Sequence, residues 1–178
     1  RGLAKAKVSE VDFTQFDGQE TELRAEGIRI RPDASSSADL APEGVTFASQ
    51  DELWVSLQQN NAVASISAGK DGPEIERLIP LGVKDHSLDG SGLDASDRDG
   101  AINIQTWPVF GFYAPDEIAS FKVRGDTYFI ITNEGDPTDI PVGGEVVDET
   151  VRVRDITLDP AEFPDAATLS QNANLGRL

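Results

Sequence analysis

Residues 45–81 read VTFASQDELWVSLQQNNAVASISAGKDGPEIERLIPL. Four short apolar runs stand out, Val45 to Phe47, Leu53 to Leu57, Ala62 to Ser67 and Ile75 to Leu81. Gln50-Asp51, Asn60-Asn61 and Lys70-Asp71-Gly72-Pro73 separate them. The separators are turn formers and the runs favour extended backbone, so the spacing predicts a four-stranded antiparallel meander. A propeller blade has that form, and one sheet of a β-sandwich has similar strand spacing.

The same wording returns later in the chain. Ala41-Pro42-Glu43-Gly44-Val45 leads into Leu53-Trp54-Val55-Ser56-Leu57 and the polar turn from Gln58 to Asn61. Ala114-Pro115-Asp116-Glu117-Ile118 leads into Tyr128-Phe129-Ile130-Ile131-Thr132 and the turn Asn133-Glu134-Gly135-Asp136. The offset is about 73 to 75 residues, and setting aside roughly 31 for an insertion from Val83 to Tyr113 leaves about 42, a propeller-blade period. The expected fold is all-β: a β-propeller portion of about two to three blades of four-stranded antiparallel sheet, with a long acidic loop insertion at 83–113 and short helices. A closed propeller needs at least about four blades, so residues 1–178 read as one incomplete domain, a fragment of a longer chain. Bare sheet edges invite aggregation, so the expected partner is the remaining portion of its parent chain or another polypeptide that completes the propeller.

The flanks are less regular. Ala6 to Phe13 alternates imperfectly and suits a strand. Asp17 and Glu20 have capping-box spacing for a short helix that Gly27 ends, Ile28 and Ile30 alternate as a strand would, and Asp33 to Asp39 is a polar loop. Val146-Val147 and Val151-Arg152-Val153 suggest a strand pair, and the prolines between Leu158 and Leu169 suggest short helical turns.

The net charge of −17 and pI near 4.2 make nucleic acid a poor partner, because a phosphate backbone needs basic patches and the basic cluster Arg1 to Lys7 is short. Cysteine is absent, which removes disulfides and thiolate metal sites together. No apolar run approaches the ~20 residues of a membrane span. Strong acidity suits calcium-rich surroundings, where divalent cations offset carboxylate repulsion.

Oxygen donors are densest between Lys84 and Ile104, KDHSLDGSGLDASDRDGAINI, which also holds the sole histidine. Calcium takes six to eight hard oxygens from a loop whose glycines allow sharp turns. Asp97 and Asp99 before Gly100 imitate part of an EF-hand loop, and Asp94 and Ser96 add oxygens upstream; no glutamate follows at the twelfth position. His86 is either a hydrogen-bonded structural residue or a ligand, in which case another divalent metal such as zinc fits better. Glu134 and Asp136 replace the amides of Gln59 and Asn61 at the equivalent turn, as a cation site or a solvated acidic turn would. Trp54 reads as core, and Trp107 to Tyr113 as an apolar anchor folding the insertion back on the propeller.

The words VSEVDFTQFDGQETELRAEGIRI, LWVSLQQNNAVASI, IPLGVKDHSLDGSGLDASDRDGAINIQTWPVFGFYAPDEIASF, TNEGDPTD and FPDAATLSQNANLGRL resemble the choice-of-anchor I family from about Val8 to Leu178. Pro137-Thr138 departs from the Ala-Arg pair more usual there. The resemblance implies a secreted, surface-attached or periplasmic bacterial protein with a propeller-like domain, and some members are labelled alkaline phosphatases. Three functions follow as expectations. The first is an extracellular or cell-surface calcium-binding propeller protein with a structural or assembly role. The second is a metal-dependent phosphomonoesterase whose cations sit on Asp94, Asp97, Asp99, Glu134 and Asp136, with His86; only Arg98 in the acidic stretch could hold phosphate. The third is a carbohydrate-binding module using Trp107 and Tyr113.

Overall fold

A computed structural model describes residues 7–70, 72–135, 137–142 and 145–178. The chain forms two compact units, residues 1–82 with 112–136 and residues 83–111 with 137–178. Both are mostly β with a few short helices.

The first unit is built on the meander. Strands β1 (Val45–Phe47), β2 (Glu52–Leu57), β3 (Ala62–Gly69) and β4 (Gly72–Pro80) form a four-stranded antiparallel sheet in the order β1-β2-β3-β4. The register sets Val45 opposite Val55, Val55 opposite Ala64 and Ala64 opposite Leu78. Because side chains alternate across a strand, this row shares one face. That face buries Val55, Leu57, Ala62, Ala64 and Ile75 against Leu23, Ile28, Ile30 and Leu40 of the preceding segment. Ala62 and Ala64 are fully buried, and their small side chains let the cover lie close. The opposite face carries Thr46, Trp54, Ser65 and Arg77 in one row.

The cover differs from the sequence expectations in three places. Residues 7–12 form no strand, and Val8 is 91% exposed: among the described residues its alternation has no partner edge to pair with. Ile28 and Ile30 do point inward, but the Arg29 amide donates to Asn60 O instead of joining a ladder. Helix α1 (Glu20–Ala25) starts at Gln19 without a side-chain cap. Asp17 is turned instead to the amide and hydroxyl of Ser37, while Glu20 Oε1 accepts from the amides of Gly18 and Ser36 and from the Ser36 hydroxyl. These bonds create a single helical turn, α2 (Ser36–Asp39), inside the stretch read as a loop. Gly27 follows α1, as the sequence suggests.

The chain re-enters the first unit as a hairpin, β9 (Pro115–Val123) and β10 (Asp126–Asn133). Its turn is Arg124-Gly125, both at positive φ, the two-residue geometry whose twist matches antiparallel strands. Ile118 lies opposite Ile131, Ser120 opposite Phe129 and Phe121 opposite Tyr128. The Ser120 and Phe129 side of this hairpin lies on the Thr46 and Trp54 side of the meander. The Trp54 and Phe129 ring centroids are 4.4 Å apart, and Ser120 exchanges hydrogen bonds with Thr46 and donates to Phe47 O at 2.5 Å. A methyl group on Gly44 would come within 3.1 Å of Asp116 O and of Glu117 Cα, so a larger residue there would push the two strands apart by a few tenths of an ångström.

The second unit contains β5 (Val83–Asp85), which pairs with β8 (Phe110–Phe112), and β6 (Leu93–Asp94), which pairs with β7 (Ile104–Gln105). A further hairpin joins β11 (Asp139–Val142) to β12 (Glu145–Asp148). Its apolar centre is Ala95, Trp107 and Leu175, flanked by Leu93, Val109, Val153 and Leu169. Val146-Val147 therefore pair with β11, whereas Val153–Asp155 form a 3-10 turn whose first amide donates to Leu178 O. Helix α3 (Ala166–Leu169) is one of the short turns the prolines suggested. Trp107 is an apolar anchor, but within its own unit: its ring is buried with Ala95 and Leu175.

Two pairs of measurements test this account. Ser56 and Ser65 are both fully buried, but Ser56 Oγ is hydrogen-bonded and Ser65 Oγ has no hydrogen-bond partner among the described residues. In urea unfolding, Ser56→Ala is expected to cost about 1–3 kcal/mol, and Ser65→Ala to be neutral or to stabilise by up to about 1 kcal/mol. The amide of Ser36, followed by Glu20's own amide and that of Gly18, lowers the Glu20 carboxyl from 4.5 to about 2. A depressed carboxyl pKa stabilises the fold above the unfolded value and ceases to do so as pH falls through the folded one. The stability advantage of the native chain over Glu20→Gln should therefore be full above pH 4.5 and vanish toward pH 2.

Candidate functional site

Within the second unit, β6 and β7 bring Leu93 opposite Gln105 and Asp94 opposite Ile104, so residues 95–103 form the tip of a very short hairpin. Aspartate, serine and glycine supply turns there but few strand formers. The tip is tied down at its base. Trp107 Nε1 donates to Leu93 O at 3.1 Å, Ala95 is buried beside the indole, and Ser96 Oγ donates to Asn172 O at 2.5 Å while accepting from the Arg98 amide.

The candidate ligands occupy distinct settings. Asp94 ends β6 with its side chain exposed. Asp97 binds Arg177 at 2.9 and 3.4 Å and has Arg98 at 3.4 Å. The hydrogen bond from Arg177, with the charges of Arg177 and Arg98, holds its carboxyl below the usual range. Asp99 Oδ1 accepts from the Ala101 amide and closes its own turn. His86 Nδ1 lies 2.7 Å from Ser91 O, so Nδ1 carries the proton in this arrangement, and Nε2 faces Gly111. Its backbone is fixed at both ends, by Val109 O and the Trp107 amide. Arg177 also has its carbonyl bound by Arg152, and Arg154 reaches Asn172 Oδ1 at 3.3 Å. The tip's oxygens thus organise residues 172–178. Among the described residues, no three histidine, aspartate or glutamate side chains gather as a group able to hold a metal.

Glu134 belongs to the first unit. Its amide donates to Ala114 O and its carbonyl accepts Gln58 Nε2 at 3.0 Å. Asp136 lies outside the described residues. The register makes Glu134 the counterpart of Gln58, one residue away from the correspondence expected from the wording, since Val55 already matches Ile131 rather than Ile130.

The sequence reading passed over the residues that do most of the tying in this unit. Asn60 Nδ2 donates to Arg29 O and Asp39 O while Oδ1 accepts from the Ala41 amide. Asn61, at φ 51, accepts from the amides of Tyr113 and Ala114 and donates to Gly82 O. Both are buried. An amide side chain both donates and accepts, so it can satisfy strands arriving from two directions. The run Gln58-Gln59-Asn60-Asn61 was the available signal, and it reads first as a turn.

Ser56 and Thr132 complete the geometry. Ser56 Oγ accepts from the Gly44 amide at 2.8 Å, and Thr132 Oγ1 accepts from the Glu117 amide at 3.2 Å. Val45 opposite Val55 therefore corresponds to Ile118 opposite Ile131, and each hydroxyl lies one residue beyond. By this register Thr46, Trp54 and Ser56 correspond to Ala119, Ile130 and Thr132. The first set faces the second hairpin, whereas Ala119, Ile130 and Thr132 are all exposed. The two hairpins lie front to back.

No helix among the described residues is long and apolar enough to cross a membrane. No curated protein and no solved structure matches the chain. The sequence profile of the choice-of-anchor I domain matches residues 1–178, its whole length, and that domain occurs in secreted or surface-associated proteins. The chain belongs to the choice-of-anchor I domain family.

Proposed function

We propose that this chain is a structural module of a secreted or surface-associated protein, in which β1–β4 and β9–β10 belong to successive blades of a propeller portion. The observation that carries the reading is the front-to-back relation of the repeated hairpins. Sheets of a sandwich turn their inner faces toward one another, whereas blades follow one another by rotation, each resting its back on the front of the last. The matched hydroxyl bonds of Ser56 and Thr132 support the correspondence from which that relation is read.

A calcium ion ordering the acidic tip through Asp94, Ser96, Asp97 and Asp99, which it would have to draw together because no three acidic side chains gather there among the described residues, belongs to the same reading. Its support is the donor pattern and the positive φ of Gly100, and the ion would compete with Arg177 for Asp97. A structural role is favoured over phosphate-ester hydrolysis because Arg177 and Arg98 both rest on Asp97, leaving little cation for a phosphate.

Two measurements bear on this. A double-mutant cycle with Trp54→Ala and Phe129→Ala should give a coupling of about 0.5–1.5 kcal/mol, and additivity would contradict a packed seam. Calcium added to the chelator-treated chain should raise its melting temperature. At about 100 times Kd the stabilisation approaches ~2.7 kcal/mol, and it should be larger in Arg177→Ala. An unchanged melting temperature in both proteins would remove calcium from the account.

A further inference from the structure

Within the first unit, no described residue covers the front of the second hairpin. Ala119, Phe121 and Val123 of β9 alternate onto the same side as Tyr128 and Ile130 of β10. Ile130 is 61% exposed, Tyr128 48%, Phe121 47% and Val123 43%, and the Phe121 and Tyr128 rings stack with centroids 5.7 Å apart. Four large apolar side chains on one side of a two-stranded ribbon form a contiguous patch of the kind that marks an interaction surface. Such a ribbon is also marginally stable without cover. By the register, this side corresponds to the side of the first hairpin that already seats a neighbour through Thr46, Trp54 and Ser56.

We infer that the Ala119, Phe121, Tyr128 and Ile130 face is a docking seat for a further β-hairpin of this same repeat. This rests on the successive-blade reading above. The interface between the first and second hairpins, continued by one step, lands on this face and states the chemistry of the occupant. Its back carries aliphatic residues where Ile118 and Ile131 stand, a small hydroxyl at the Ser120 position and an aromatic ring at the Phe129 position. A second copy of the chain is the weaker occupant, since each copy brings a net charge of −17.

The probe is a backbone-cyclised peptide of residues 115–133, whose closure enforces the hairpin, added to the full chain and followed by amide NMR shifts. Saturable shifts at Ala119, Phe121, Tyr128 and Ile130 are expected, weakened roughly tenfold or more in Ile130→Asp. That position is exposed, and circular dichroism verifies that the variant folds. Absence of binding would overturn the seat, as would binding that Ile130→Asp leaves unchanged or shifts confined to Thr46 and Trp54. Sedimentation of the chain alone as a dimer that Ile130→Asp dissociates would replace the proposed occupant with a second copy. Preserved Trp54 and Phe129 coupling with no peptide binding removes the seat alone, whereas lost coupling removes the blade reading beneath it.

Discussion

A single buried hydroxyl ties three strands of the first unit. Ser56 Oγ takes the amide of Gly44, which leads into β1, and gives its proton to Asp116 O at 2.5 Å at the start of β9. A buried amide or carbonyl without a partner costs about 1–3 kcal/mol, so placing a small donor and acceptor at this point lets backbone from separate hairpins meet without that penalty. Gly44 supplies the room for it. The ring contact of Trp54 with Phe129 and the Thr46 and Ser120 bonds lie farther along the same face.

This arrangement depends on the meander using its two sides differently. One side is aliphatic and small, and the N-terminal cover closes over it. The other mixes hydroxyls with one indole, and a second sheet rests on it. The buried amides of Asn60 and Asn61 join those two roles, since one holds the cover through Arg29, Asp39 and Ala41 while the other holds the return of the chain at Tyr113 and Ala114. In the second unit the acidic tip does a comparable task at smaller scale, with Ser96 and Asp97 holding Asn172 and Arg177.

The meander was legible because each strand was bounded by its own turn formers, which act locally. The repeat was legible because the Ala-Pro words mark the same entry to each hairpin. Ala6 to Phe13 misled because alternation shows a face and not a partner strand. Val151 to Val153 misled for a related reason: Val153 is drawn to Trp107 and Leu175, and nothing near it in sequence reveals that contact. Glu20 and Ser36 meet across sixteen residues, so a carboxylate with capping-box spacing served a different helix turn. At the acidic tip the oxygen donors were visible in the sequence, but Arg177 was not visible as their neighbour, because the pair is eighty residues apart.

The front-to-back seam is tested most directly by cross-linking, which is clean because the chain has no cysteine. Thr46 and Ser120 approach side chain to side chain across the seam, with 3.3 Å between their oxygens. The double variant Thr46→Cys with Ser120→Cys should oxidise to an intramolecular disulfide with the fold retained. Thr46→Cys with Ala119→Cys, the pair a face-to-face sandwich would bring together, should remain reduced under the same conditions. Cross-linking of the second pair in place of the first would contradict the account.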